Sequence, residues 1–274
     1  MLSVIVAAFG VLVVWGNTAL ELNTYTIVSS RLPESFDGYR IAHISDLHNT
    51  QMGRYNEKLL SMLREADPDM IAITGDLIDS RNTNVAIALQ FVQEAVKIAP
   101  CYYVTGNHEA RVKEYSELKI GLVSAGVIVL EDESVEIEIN GESIRLIGVN
   151  DPSFLTDYLI GDPEMVMRSK LTQLHTDGDG FTILLSHRPE LFDAYADHDL
   201  DLVLSGHAHG GQFRIPFVGG VVAPNQGFFP RFDAGIYTDG NTNMLVSRGI
   251  GNSILPFRIN NRPEVILIEL NFAG

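Results

Sequence analysis

Asp46 and His48 stand two positions apart in HISDLHNT, directly after the apolar-leaning YRIA, and pair a hard oxygen donor with a borderline nitrogen donor. Alone, such a D-x-H is an ordinary turn with a surface histidine. Four further stretches change its meaning. GDLID supplies Asp76 and Asp79, GNHE supplies Asn107, His108 and Glu109, SHR supplies His187, and GHAHGG supplies His207 and His209. Five of the eight histidines (48, 108, 187, 207 and 209) fall in these stretches, while the single cysteine, Cys101, excludes a thiolate cluster. Carboxylate, carboxamide and imidazole donors without sulfur suit Mn, Fe or Zn rather than Cu(I) or a calcium cage. Of the other histidines, His43 is expected to pack inside a strand, and His175 and His198 to be solvated.

The elements that must position these donors are legible as apolar runs. Strands are predicted over Tyr39–Ile44, Met70–Thr74, Cys101–Thr105, 181–186 and 201–205, and each runs straight into one donor group. Gly75, Gly106 and Gly206 precede three of the groups and permit a sharp strand-to-loop turn. In open α/β sheets the carboxyl ends of strands are where sites form. Helices are predicted over Tyr55–Glu65, over Asn84–Ile98 with apolar residues at i, i+3, i+4 and i+7, and over Glu164–Leu174. Val135–Ile139 and Ser143–Val149 flank Asn140-Gly141, a hairpin signal. Residues 210–251 read as loops with short strands, and VILIEL (265–270) as a closing strand. Strand–helix alternation with an antiparallel hairpin in the middle predicts a mixed α/β sandwich, and no linker divides residues 35–270.

At 274 residues the chain is long enough for a full core, and its 19 basic against 35 acidic residues give a formal charge of −16. That balance repels polyanions and argues against a nucleic-acid partner. A phosphate-handling site then needs something strongly cationic inside it. The first charged residue is Glu21, so residues 1–20 are expected to form an apolar membrane anchor or signal-like helix, followed by one domain over 21–274. Trp15 suits an interfacial position, and the protein is expected at a membrane through this single anchor.

In their order, Asp46/His48, Gly75-Asp76-Leu77-Ile78-Asp79, Gly106-Asn107-His108-Glu109, His187 and Gly206-His207-Ala208-His209 resemble the motifs of the calcineurin-like metallophosphoesterase family. The likeness runs from about residue 36 to 270, and the N-terminus and tail are similar to its bacterial membrane-anchored or exported phosphodiesterases. The resemblance implies two β-sheets stacked as a sandwich flanked by helices (α-β-β-α). It also implies two divalent ions. One would be held by Asp46, His48, Asp76 and His209, the other by Asp76, Asn107, His187 and His207. One departure is visible: where many members have arginine directly after the second aspartate block, this chain has Ser80 and then Arg81.

The reaction so implied is hydrolysis of a phosphodiester or pyrophosphate by a water activated between two cations, attacking phosphorus in line. His108, freed from ligation, would donate a proton to the leaving oxygen, with Asp79 orienting it or a ligand. Arg188, Arg214 and Arg248 are candidate phosphate contacts because arginine forks match phosphoryl oxygens. The substrate is expected to be a phosphorylated small molecule or lipid, such as UDP-diacylglucosamine. Phe213, Phe217, Phe228, Phe229 and Phe232 are expected to line an apolar groove for a lipid-linked phosphate. The rival reading is a non-catalytic metal-binding scaffold of the same fold that works through protein partners.

Overall fold

Side chains alternate across the buried strands, so each strand feeds two apolar layers at once. Met70 and Ala72 point to one layer while Ile71 and Ile73 point to the other, and Ile183 and Leu185 are likewise opposed to Leu184. In the computed structural model, which describes residues 10, 13–155, 162–175, 180–252 and 255–274, these strands form two six-stranded sheets. The first has the order β1 (Glu21–Ser29), β16 (Glu264–Phe272), β2 (Tyr39–Ile44), β3 (Met70–Thr74), β4 (Cys101–Val104) and β5 (Ile128–Val129). The second has the order β14 (Gly235–Asp239), β15 (Thr242–Val246), β9 (Leu202–Ser205), β8 (Thr182–Leu185), β7 (Glu142–Gly148) and β6 (Glu133–Ile139), and β10 (Arg214–Ile215) with β11 (Gly219–Gly220) and β12 (Val222–Ala223) with β13 (Gly227–Phe228) pair as two short hairpins outside it.

Parallel pairing of β2, β3, β4 and β5, and of β7, β8 and β9, brings their carboxyl ends to one rim. The inner faces of both sheets share one core that includes Ile41, Met70, Val104, Leu146, Ile183 and Leu204. Helices Glu57–Ala66, Val85–Ala95 and Tyr115–Ala125 cover the outer face of the first sheet. Helices Pro163–Leu174 and Phe192–Ala196 cover that of the second. The expected helix-flanked sandwich is the observed fold.

Predicted and observed elements differ where packing decides. The helix expected from Tyr55 begins at Glu57, because Tyr55 and Asn56 take left-handed backbone angles of 57° and 61°. Strand β1 was not expected: it is an edge strand with only Ile27 buried, pairing in parallel with the chain's last strand. The helix Tyr115–Ala125 buries only Leu118 and Leu122, too little periodicity to read. Most of the expected N-terminal helix lies outside the described residues, apart from a helical stretch over 13–18. Among the described residues no helix is long and apolar enough to cross a membrane. His175, expected in solvent, is buried, whereas His43 donates to or accepts from the Thr74 hydroxyl inside the core at 2.8 Å.

Candidate metal centre

Every donor group follows directly from a strand end at the common rim. The first sheet contributes Asp46 and His48 after β2, Asp76 after β3 and Asn107 after β4; the second contributes His187 after β8 and His207 and His209 after β9. The turns are tight. Asp46, His48, Asp76, His207 and His209 all carry positive φ, between 45° and 64°, a region that non-glycine residues rarely occupy. Strain of this kind collects at functional sites, where surrounding structure over-determines it. Gly106 shows what enforces the crowding: a Cβ there would sit 2.2 Å from Asp76 Oδ1. Gly75 has φ +83°, and its own Cβ would meet the Gly106 backbone nitrogen at 2.5 Å.

Two buried donor clusters result, Asp46/His48/His209 and Asp76/His187/His207. In the first, the Nε2 atoms of His48 and His209 face each other at 3.2 Å, and Asp46 Oδ1 lies 3.3 Å from His209 Nε2. In the second, His187 Nε2 is 3.2 Å from His207 Nδ1 and 3.3 Å from Asp76 Oδ2. Asp76 stands between them. Its Oδ1 accepts the His108 backbone N–H at 2.8 Å, while its Oδ2 alone faces both clusters, 3.5 Å from His48 Nε2 and 3.3 Å from His187 Nε2.

These residues fit divalent cations. Imidazole nitrogens turned toward one another in a dry pocket need a proton or a cation between them. Asn107 Oδ1 is buried with no hydrogen-bond partner, an acceptor awaiting a ligand. His187 Nδ1–H donates to the Thr74 carbonyl at 2.7 Å, which leaves the Nε2 lone pair directed at the cluster. A lone pair on His207 Nδ1 likewise places its proton on Nε2, where Asn225 Oδ1 accepts at 3.2 Å. Burial opposes ionisation of Asp76, yet neighbouring His187 holds its carboxyl well below the usual range. Burial also opposes a charge on His187, but Asp76 and Asp46 raise it to about 10. Burial lowers His207 well below the usual range and His209 to about 3, so His187 carries the positive charge that faces Asp76.

His108 sits beside the clusters, its Nε2 4.0 Å from Asp76 Oδ2. Its Nδ1 accepts the Ser80 backbone N–H at 2.9 Å; Asp79 Oδ1 is more distant, at 3.6 Å, and its carboxylate is held by Arg81 at 2.9 and 2.6 Å. The three arginines expected near phosphate are each tied to carboxylates. Arg248 binds Glu21 and Glu264, and Arg214 binds Asp233. Arg188 is buried and clasps Asp151 through Nε and a terminal nitrogen at 2.5 and 3.0 Å, with its other terminal nitrogen 3.1 Å from His207 Nε2. Of the three, Arg188 is the one that touches a donor residue. The five phenylalanines do not line one groove. Phe232 is buried against Phe192 and Tyr237, Phe213 lies against Phe257, and Phe217, Phe228 and Phe229 are exposed.

Glu109 carries a role that the sequence did not reveal. Fully buried, it accepts backbone N–H groups from Asp76 at 2.9 Å, Gly106 at 2.8 Å and Ile78 at 3.3 Å, and so pins the Asp76 loop to the GNHE loop. Burial, reinforced by the Asp76 charge, pushes its carboxyl up to about 7 against those donors. Its place inside GNHE was the one available signal. Asp151 and Asn225, which hold Arg188 and His207, lie in stretches with no motif at all.

Residues 39–211 match the family model for calcineurin-like phosphoesterases. An uncharacterized metallophosphoesterase of Bacillus subtilis is 30% identical over 258 residues, 92% of this chain and 85% of that protein. A phosphodiesterase of Escherichia coli is 28% identical, covering 85% of this chain and 82% of its own. Among solved structures, the sulfate thiohydrolase SoxB of Thermus thermophilus in complex with glycerol shares the fold with TM-score 0.53 at 15% identity, over 88% of this chain and 57% of that one.

Proposed function

The chain belongs to the calcineurin-like phosphoesterase family and is a metal-dependent phosphoesterase; on that premise we propose that it cleaves phosphodiester or pyrophosphate bonds with two divalent cations, Mn, Fe or Zn, that share Asp76. The observation that carries this reading is the placement of one oxygen, Asp76 Oδ2, 3.5 Å from His48 Nε2 on one side and 3.3 Å from His187 Nε2 on the other. Asp46, His48 and His209 complete the first ligand set, and Asn107, His187 and His207 the second. Bound there, the cations supply Lewis acidity toward phosphoryl oxygens and an activated water.

The chain's own residues do the rest. His108 keeps a proton on Nε2, facing the reaction centre, because Nδ1 already accepts from Ser80. That proton goes to the departing oxygen. Glu109 and Gly106 fix the Asp76 loop, and Asn225 holds the outward nitrogen of His207. The seven ligands and the donor histidine are all present at one buried rim, which weighs against a scaffold that has lost catalysis. The substrate we carry forward is a phosphorylated small molecule, lipid-linked if residues 1–20 hold the 21–274 domain at a bilayer.

Metal analysis and a rate panel on the full chain test this. Crossing Mn, Zn and Fe with a monoester, a diester and a pyrophosphate is expected to show the diester or pyrophosphate hydrolysed fastest. Asp76→Asn is expected to lose both ions and activity together. Two ions still bound to that variant would remove the shared oxygen from the scheme. Equal rates on a lipid diphosphate and a soluble nucleotide ester would remove the lipid reading and leave the hydrolase intact.

A further inference from the structure

We propose that the loops following the GHAHGG stretch form a second membrane contact, an aromatic face that rests on a bilayer beside the mouth of the metal centre, an inference that rests on residues 1–20 being a membrane anchor. The residues that make it are Ile215, Phe217, Val218, Phe228 and Phe229, exposed at 44%, 109%, 61%, 77% and 64%. Scattered exposed apolar side chains need no explanation, but a contiguous group marks an interaction surface. Backbone bonds make this group contiguous. Val221 N–H donates to the Phe213 carbonyl and Phe229 N–H to the Val221 carbonyl, which sets the Arg214–Gly220 hairpin beside the Val222–Phe228 hairpin.

The rings are held outward at a conformational penalty. Phe217 and Phe229 carry φ of 67° and 55°, a region that bulky residues rarely enter. The tip of the second hairpin reaches the site itself, through Asn225 on His207, so the face adjoins the chemistry.

One observation names the occupant as a bilayer. Residues 1–20 carry no charge, and the described end of that run, residues 13–20, packs on this flank. Arg262 donates to the Ala19 and Leu20 carbonyls and lies over the Trp15 ring at 4.8 Å, and Asn252 bonds Asn17. The same 255–262 segment is stitched to the aromatic loops: Gln212 donates to the Leu255 and Phe257 carbonyls, Arg214 N–H to the Ile259 carbonyl, and Asn260 to the Arg214 carbonyl. Exposed Val14, Trp15 and Leu255 extend the apolar surface there. Exposed apolar side chains beside an uncharged terminal run suit the headgroup boundary of a membrane.

The test places a fluorophore on single cysteines in the full chain, since Cys101 is buried and its thiol pushed up to about 12 by that burial. Phe217→Cys and Phe228→Cys variants carry the label on the face. Lys97→Cys carries it just before β4, at the amino end of the strands and so at the opposite rim. In vesicles of phosphatidylglycerol and phosphatidylethanolamine, labels at positions 217 and 228 are expected to shift to the blue and be quenched by doxyl lipids, while the label at 97 is not. Water-like emission at 217 and 228, or equal quenching at 97, overturns the proposal. A blue shift that grows with protein concentration and without vesicles overturns it too, and assigns the face to a second copy.

Discussion

His108 presents its ring so that only one nitrogen can serve a departing oxygen. The Ser80 backbone N–H occupies Nδ1 at 2.9 Å, and the neutral ring must then carry its proton on Nε2. Burial, which opposes the charged form, pulls the group down to about 4, so the neutral tautomer is the one the fold selects in the cation-free pocket. Its Nε2 is 4.0 Å from the nearest Asp76 oxygen, and with His48 and Asp79 it forms a third, less buried donor group beside the two clusters, where we keep it as the proton donor. Replacing His108 with alanine is therefore expected to lower kcat by about 10²–10⁴-fold while metal content stays unchanged. Rate assays paired with metal analysis check it. A variant that keeps full rate on a phosphodiester would take the proton donor out of the scheme. Ser80 follows Asp79 directly, and its main-chain N–H gives the tautomer control without any side-chain charge.

Gly106 links turn geometry to chemistry at the next scale. The loops after β3 and β4 cross so closely that a methyl at Gly106 would lie 2.2 Å from Asp76 Oδ1 and 2.6 Å from its backbone nitrogen. Gly106→Ala is expected to lose about 1–3 kcal/mol of stability, the scale of overpacking, and to lower metal content with it. Gly180→Ala, where a methyl meets nothing within 4 Å, is the matched control and should melt close to the parent. Equal melting temperatures for both variants would show that the crossing is slack. Much of this arrangement was readable beforehand. The strands that deliver donors are continuous apolar runs, buried on both faces, so composition alone marks them. Strand β1 and the helix Tyr115–Ala125 were not readable, because each buries only one or two apolar side chains and is held by partners far off in sequence. The left-handed angles at five donor residues were equally hidden: aspartate and histidine carry no local signal for them, and the fold imposes them.

Across the whole molecule, the seven proposed ligands divide between two sheets that are otherwise joined by an apolar core. Asp46, His48, Asp76 and Asn107 leave the first sheet; His187, His207 and His209 leave the second. A few polar bonds already cross this seam, including His187 to the Thr74 carbonyl at 2.7 Å and His207 N–H to Asp46 Oδ2 at 3.0 Å. Without cations, the buried carboxylates must be balanced by imidazolium, which is why Asp76 and Asp46 raise His187 despite its burial. Cations that take over this balance bind the folded chain and not the unfolded one, because the ligands are scattered from residue 46 to 209. Metal then stabilises by mass action, by about 2.7 kcal/mol when free ion exceeds its dissociation constant a hundredfold. For a chain of this size that corresponds to a melting temperature about 5 °C higher than in chelator. Scanning calorimetry of the full chain with Mn and with a chelator measures the difference, and Asp76→Asn should abolish it. A melting temperature indifferent to metal in the parent chain would mean that the rim is closed by its own side chains, and that the ions, if bound at all, do not join the sheets.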